Sequence, residues 1–421
     1  VNPYQVEPIP PKLEIDTHLN SSPAQDVRLT VGCHSALKPH FTNTSGLGTR
    51  MPSAKPRITA LITAVLMSFP CLALAATSLQ DANTLTRNFV QQTMTDQRIP
   101  GLQVAVIKDG QVVLSESYGL ANVENQVPVT PNTRFPINSA TKSFTGVAMM
   151  QLAQAGKVDL DAPASRYLDD LPAAWRTIRV RQLLGHTSGL PDIVDQRGLI
   201  GGGNEAAAWT AVKTLPLGAP VGERFAYNQT NYGLLAQIIV KQTNLPYEQY
   251  MAQRQFAVVG MPLTTFGDSY DLVANAATIY SYTPRGTLAK NDGSRLSRWI
   301  YDMPYSLWAG GGIQTTAEEL SRWLIAVSDG RLIDRAHLRR MWTPEKLNSG
   351  ADGAWGAGWP VLQASPTRQV AGIGGARAAF VVYPDEGLAV VLLTNLAGAN
   401  PQRFIPKIAE FYGVAPAAAA R

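Results

Sequence analysis

The chain has 421 residues, 45% of them hydrophobic and 16% charged, with a formal net charge of +5. That length and apolar content support one domain of about 350 residues, or two interleaved lobes, and exclude a minimal domain. The positive charge is dispersed, with no long Lys/Arg run, so no nucleic-acid partner is expected.

Residues 1–50 are rich in Pro, Ser, Thr and Asn and carry neither helical nor strand periodicity. They read as a disordered extension, or as upstream read-through ahead of a true start at Met51. Residues 51–76 follow the order of a secretory signal peptide: basic Lys55 and Arg57, an apolar run from Ile58, then the small-residue exit Ala73-Leu74-Ala75. A transmembrane anchor is the rival reading, because the run approaches the roughly 20 residues a span needs. Pro70 and the Ala-rich exit favour cleavage, which predicts a periplasmic or secreted protein that meets the membrane only during export. Bulky Phe69 and Pro70 disfavour a lipoprotein site at Cys71.

Cleavage near Ala75 or Ala76 removes both cysteines, Cys33 and Cys71. The domain spanning 77–421 then has no disulfide and no thiol chemistry, and must be held by its core. Of five histidines only His186 and His337 remain, and no HExxH is present. Neither a metal site nor a cofactor is expected.

Along this domain, residues 80–97 read as an amphipathic helix. Two β-rich runs flank Asp109-Gly110, a strong hairpin signal. After Ser139, the apolar residues Phe144, Val147, Ala148 and Leu152 recur at helical spacing. The middle, about 160–340, is dominated by helical patterns and long loops, including Gly201-Gly202-Gly203. Thr316 and Glu319 open a further helix as a capping box. The segment 378–395 reads as two strands around the turn Pro384-Asp385-Glu386-Gly387, and a helix near 402–412 precedes a frayed tail. Helix, strands, a large helical insert, then strands and a helix describe an α+β fold. Its antiparallel sheet would be flanked by helices, with a helical lobe beside it and a site in the cleft between.

No G-x-S-x-G elbow, P-loop or dinucleotide fingerprint occurs. Ser139 and Lys142 form an S-x-x-K pair, which a helix places on one face beside its positive N-terminus. A lysine screened from water can accept a proton from serine. The pair alone is a weak signal, and its plain alternative is a polar first turn; Ser35-Ala36-Leu37-Lys38 repeats the pattern by chance.

Three further segments follow in order: "RQLLGHTSGLPD" (181–192), "ERFAYNQTNYGLL" (223–235) and "SLWAGGGIQTTAEEL" (306–320). With these, residues 80–412 resemble the serine β-lactamase and penicillin-binding protein superfamily, in the branch of class C β-lactamases, D-aminopeptidases and family VIII carboxylesterases. The resemblance implies a β-lactamase/transpeptidase-like fold. It implies Ser139 as acylated nucleophile, Lys142 as its partner, and Tyr227 as the tyrosine of a Tyr-x-Asn motif that moves the proton. It also implies an oxyanion hole from the Ser139 and Gly375 amides, and substrate contacts along Gly372-Ile373-Gly374.

Two positions depart from the family pattern. Gln229 stands where the motif has asparagine, which moves the amide one methylene outward. Gly372 stands where the family has lysine or histidine, so the hold on a penicillin-like carboxylate is weakened and simple esters are favoured. Arg377 would supply a substitute charge or lie on the surface. Trp308 either lines the substrate mouth or packs; Trp355 and Trp359 read as core. His186 is expected to organise its loop through hydrogen bonds. The function implied is an acyl-enzyme serine hydrolase acting on small-molecule esters, amides or β-lactams. A D,D- or D-amino peptidase and a catalytically weak penicillin-binding or sensor domain are the alternatives.

Overall fold

Residues 101–108 alternate between two cores. Leu102, Val104 and Val106 join one, while Ala105 and Ile107 join the other. A strand buried on both sides needs a covering layer on each face, and this organises the molecule. The structure, a computed structural model, describes residues 78–195, 198–202, 204–282, 294–363 and 368–416. The expected extension and signal segment, and the end of the tail, lie outside the described residues.

Helix α1 (Leu79–Asp96) starts one residue before the expected position, with the Ser78 side chain accepting from the Asp81 N–H at 3.1 Å. Strands β1 (Gly101–Lys108) and β2 (Gln111–Asn122) form the expected hairpin. Asp109 and Gly110 turn it with φ of 50° and 76°, the left-handed pair that matches strand twist. A short β3 (Val127–Pro128) follows. The helices used below are α2 (Thr141–Gln154), α3 (Thr230–Thr243), α4 (Trp308–Gly311), α5 (Ala317–Ser328) and α6 (Ile405–Phe411). The late strands are β4 (Val361–Gln363), β5 (Gln369–Gly374), β6 (Ala378–Tyr383) and β7 (Leu388–Thr394).

The described strands build a seven-stranded sheet in the order β4-β5-β6-β7-β1-β2-β3, with every pair antiparallel. β1 pairs with β7 from Leu102–Thr394 to Lys108–Leu388, so the two ends of the domain meet at the centre of the sheet. One face carries α1 and α6, through Val90, Ile405 and Ile408 against Val104 and Val390. The other carries α2 and α5, where Phe144 stacks on Trp323 with ring centroids 3.7 Å apart.

α2 differs from expectation in kind. Every residue from Thr141 to Met150 is buried, so the helix is wedged between sheet and helical lobe and has no solvent face over those turns. Lys142 is consequently 0% exposed. The capping box is half formed. Thr316 accepts from the Glu319 N–H at 3.1 Å, but the Glu319 carboxylate turns to the Leu263 N–H at 2.9 Å and the Thr264 hydroxyl at 2.6 Å. It pins a neighbouring loop instead of closing its own helix.

Candidate active site

Asn138–Ala140 form a single 3₁₀ turn that leads into α2. Asn138 has φ of 44°, a left-handed conformation that asparagine tolerates better than most residues. The turn sets Ser139 at the helix entrance. One turn on, the Lys142 Nζ donates to the Gly310 carbonyl at 2.7 Å and to Gln229 Oε1 at 3.0 Å, and lies 3.5 Å from Ser139 Oγ. Three acceptors match the three N–H donors of an ammonium. The Tyr227 hydroxyl donates to Ser139 Oγ at 2.7 Å, and Lys142 Nζ is 4.7 Å from the centre of the Tyr227 ring. The alcohol, amine and phenol therefore converge, although they lie up to 88 positions apart in the chain.

Gly310 is a partner that sequence reasoning missed. A Cβ built there would come 2.7 Å from Gln229 Oε1 and 3.2 Å from Lys142 Nζ. Glycine keeps this part of α4 close enough for its carbonyl to reach the lysine. Gln229 is held from its other side, its N–H donating to Asp192 Oδ1 at 2.9 Å.

The end of β5 presses against the Ser139 turn. A Cβ on Gly374 would collide with the Ile137 carbonyl oxygen and lie 2.8 Å from the Ser139 nitrogen. Gly375 follows with φ of 58°. Among the described residues, neither the Ser139 nor the Gly375 N–H donates a hydrogen bond. An unspent amide at the entrance of α2 and a second on the turn after β5 are the elements of an oxyanion hole.

Residues 86–412 match the family model described as Beta-lactamase. The chain belongs to the Beta-lactamase family. It is 28% identical over 250 residues to "Protein flp" of Staphylococcus aureus strain MW2, covering 58% of this chain and 48% of that one. The chain spans between about half and two thirds of the length of the curated relatives it matches. An octameric penicillin-binding protein homologue from Pyrococcus abyssi superposes with a TM-score of 0.67 at 25% identity, over 79% of this chain and 78% of that one. EstCE1, described as a hydrolase with promiscuous acyltransferase activity, shares the fold with a TM-score of 0.66 at 20% identity, over 80% and 99% of the two chains.

The Beta-lactamase-family frame makes the departures legible. Gly372 pairs across the sheet with Phe380, and any Cβ at 372 would collide with that ring. The expected substrate contact at 372 is thus corrected: the space above this glycine holds a core aromatic, which packs on Trp359 at 5.3 Å. Arg377 is not a surface residue either. It is 3% exposed, with its guanidinium 4.9 Å from the Tyr301 ring centre. Trp308 is held by packing, stacked on Phe266 at 5.3 Å with its N–H donating to the Met303 carbonyl at 2.9 Å. Trp359 is core as expected, but Trp355 is half-buried at the site, 5.7 Å from the Tyr227 ring. A groove of about 830 Å³ beside α3, lined by Trp209, Val240 and Leu245, includes none of the three convergent residues. Among the described residues, no cluster of His, Cys, Asp and Glu is placed to hold a metal.

His186 organises its loop by hydrogen bonds, as expected, and also does something the sequence did not signal. Its carbonyl accepts from the Ala226 N–H at 2.8 Å. Its Nδ1 lies 3.3 Å from the Asn228 N–H and 3.0 Å from Asn231 Nδ2. Both are donors, so Nδ1 accepts and the ring is neutral. The ring sits 4.4 Å from that of Tyr227, tilted by 33°, and so fixes Tyr227 through backbone and ring contact together. Burial, reinforced by the Lys142 charge, holds His186 well below its usual pKa. The unfolded chain takes up a proton near pH 6.5 that the folded chain refuses, so stability is present above that pH and falls as pH drops. We expect the unfolding free energy from urea titrations to decline from pH 7 to about pH 5, at up to about 1.4 kcal/mol per pH unit. A flat profile over that window would show that His186 is charged in the native protein.

Proposed function

We propose that this protein is an exported serine hydrolase that acts through an acyl-enzyme on carboxylic esters or amides. The observation that carries the proposal is the 2.7 Å contact between Tyr227 Oη and Ser139 Oγ, with Lys142 Nζ beside both. Of the two candidate bases, the phenol oxygen is the nearer, since Lys142 Nζ stands at 3.5 Å. In the proposed cycle Tyr227 reacts as the phenolate beside the Lys142 ammonium, so that the serine hydroxyl becomes the donor across the 2.7 Å contact and gives its proton to the phenolate as Oγ attacks the carbonyl carbon. It then returns the proton to the leaving group. The amides of Ser139 and Gly375 stabilise the tetrahedral oxyanion, and Lys142 supplies fixed positive charge. Water attacks the acyl-serine by the same route in reverse. Export rests on the basic, apolar and small-residue order of 51–76.

Within this class, Phe380 over Gly372 favours esters over β-lactams, because a cation at position 372, where related enzymes hold the β-lactam carboxylate, has no room; a cation elsewhere would meet a carboxylate placed differently from that of a β-lactam. Turnover of a p-nitrophenyl ester is expected to exceed that of nitrocefin when the two are assayed side by side. A strong preference for nitrocefin would overturn the ester assignment.

The missing cation also favours a second reading, a catalytically weak binding or sensor domain that acylates slowly and keeps the acyl group. Fluorescent penicillin that labels Ser139 while no ester or amide is turned over would select it.

A further inference from the structure

Lys142 and Arg377 are the two buried cations among the described residues. Lys142 spends its N–H groups on the site. Arg377 spends none of its side-chain donors: the guanidinium makes no hydrogen bond or ion pair among the described residues, and its buried Nε has no partner. Its one charged-group contact is the face of Tyr301, 4.9 Å from the guanidinium carbon. Tyr301 brings no compensating charge, because burial pushes its phenol up to about 12. Burial pulls Arg377 down to about 10, which leaves it charged at neutral pH.

The position of this cation is specific. Its Cζ lies 3.3 Å from the Cβ position of Gly375, whose amide is one of the two unspent donors. The same Cβ position lies 2.9 Å from Asn138 Oδ1, on the residue before the nucleophile. The backbone clamps the arginine there, its carbonyl accepting the Thr394 N–H at 2.8 Å and the Thr394 hydroxyl at 3.0 Å. A buried charge without a counter-ion is costly, and a planar guanidinium is shaped for a carboxylate.

We propose that Arg377 receives a carboxylate of the substrate beside the Gly375 amide, and so selects anionic esters or amides over their neutral isosteres. This rests on Ser139 being the nucleophile, and it relocates the anion site from position 372, which Phe380 fills, to the turn after β5. The carboxylate could belong to the acyl part or to the leaving group, and the test separates them.

Mono-4-nitrophenyl succinate is compared with 4-nitrophenyl succinamate for the acyl side, and 3-acetoxybenzoate with 3-acetoxybenzamide for the leaving side. In one of the two arms the full-length protein should prefer the carboxylate in kcat/KM by about tenfold or more. That preference should collapse toward one in Arg377→Gln and survive in part in Arg377→Lys. No preference in either arm, or a preference unchanged in Arg377→Gln, overturns the proposal. If neither variant folds, the unmodified protein's preference decides. Ester turnover that persists in Ser139→Ala would instead sink the serine-hydrolase reading. Thermal-shift binding of the same carboxylate and carboxamide pairs to Ser139→Ala then still reports on Arg377, with equal shifts counting against it.

Discussion

Replacing Ser139 by alanine is expected to lower kcat for a p-nitrophenyl ester by about a thousandfold or more, with the fold unchanged. The side chain is small and sits on a turn held by backbone, so its loss removes the proposed nucleophile without opening a cavity. Lys142→Ala should cost a comparable factor, because the Nζ that bridges Gly310, Gln229 and the serine is lost. The double variant Ser139→Ala/Lys142→Ala should be no worse than the worse single one, since groups that act as a unit are not additive. Initial rates with circular dichroism as a folding control check all three proteins. Residual activity above about a tenth in Ser139→Ala would place the nucleophile elsewhere.

The second large effect is expected from a single methyl group. Gly374→Ala puts a Cβ into the Ile137 carbonyl and within 2.8 Å of the Ser139 nitrogen. Either β5 or the serine turn must move, and both carry a proposed oxyanion donor. A loss of about 10²–10³ in kcat is expected, the range seen when such a donor is removed, with about 1–3 kcal/mol of destabilisation from overpacking. Gly218→Ala is the control, because a Cβ there meets only the Gly189 carbonyl, at 3.8 Å. Burst kinetics and urea unfolding separate the two costs. Full activity in Gly374→Ala would mean that the amides at 139 and 375 do not act together.

How much of this was legible in the sequence depends on the range of the interaction. The hairpin at Asp109-Gly110 and the two late strands around Gly387 were readable, since both rest on local turn chemistry and period-two patterning. The S-x-x-K spacing placed Lys142 beside Ser139 for the same local reason. Tyr227 came from the ordered motifs and not from any periodicity.

What was missed lies in contacts without a local signature. A backbone carbonyl such as that of Gly310 leaves no mark that a lysine will need it. Phe380 covers Gly372 because of cross-strand register, which is set by the whole sheet. Arg377 read equally as a substitute charge or as a surface residue, because arginine is usually exposed; its burial in the turn between β5 and β6 removes the second reading. Trp355 read as core for the converse reason, that large aromatics are mostly inside, whereas here one packs beside the Tyr227 ring.

The central pairing of β1 with β7 also has a bearing on how the molecule is made. A ribosome that has released Ser139, Lys142 and Tyr227 has still not produced the strand against which the first hairpin must zip. A chain stopped anywhere before Leu388 would therefore lack the middle of its scaffold and not merely a tail. Synthesis must run past β7 before the cleft that gathers Ser139, Lys142 and Tyr227 can exist.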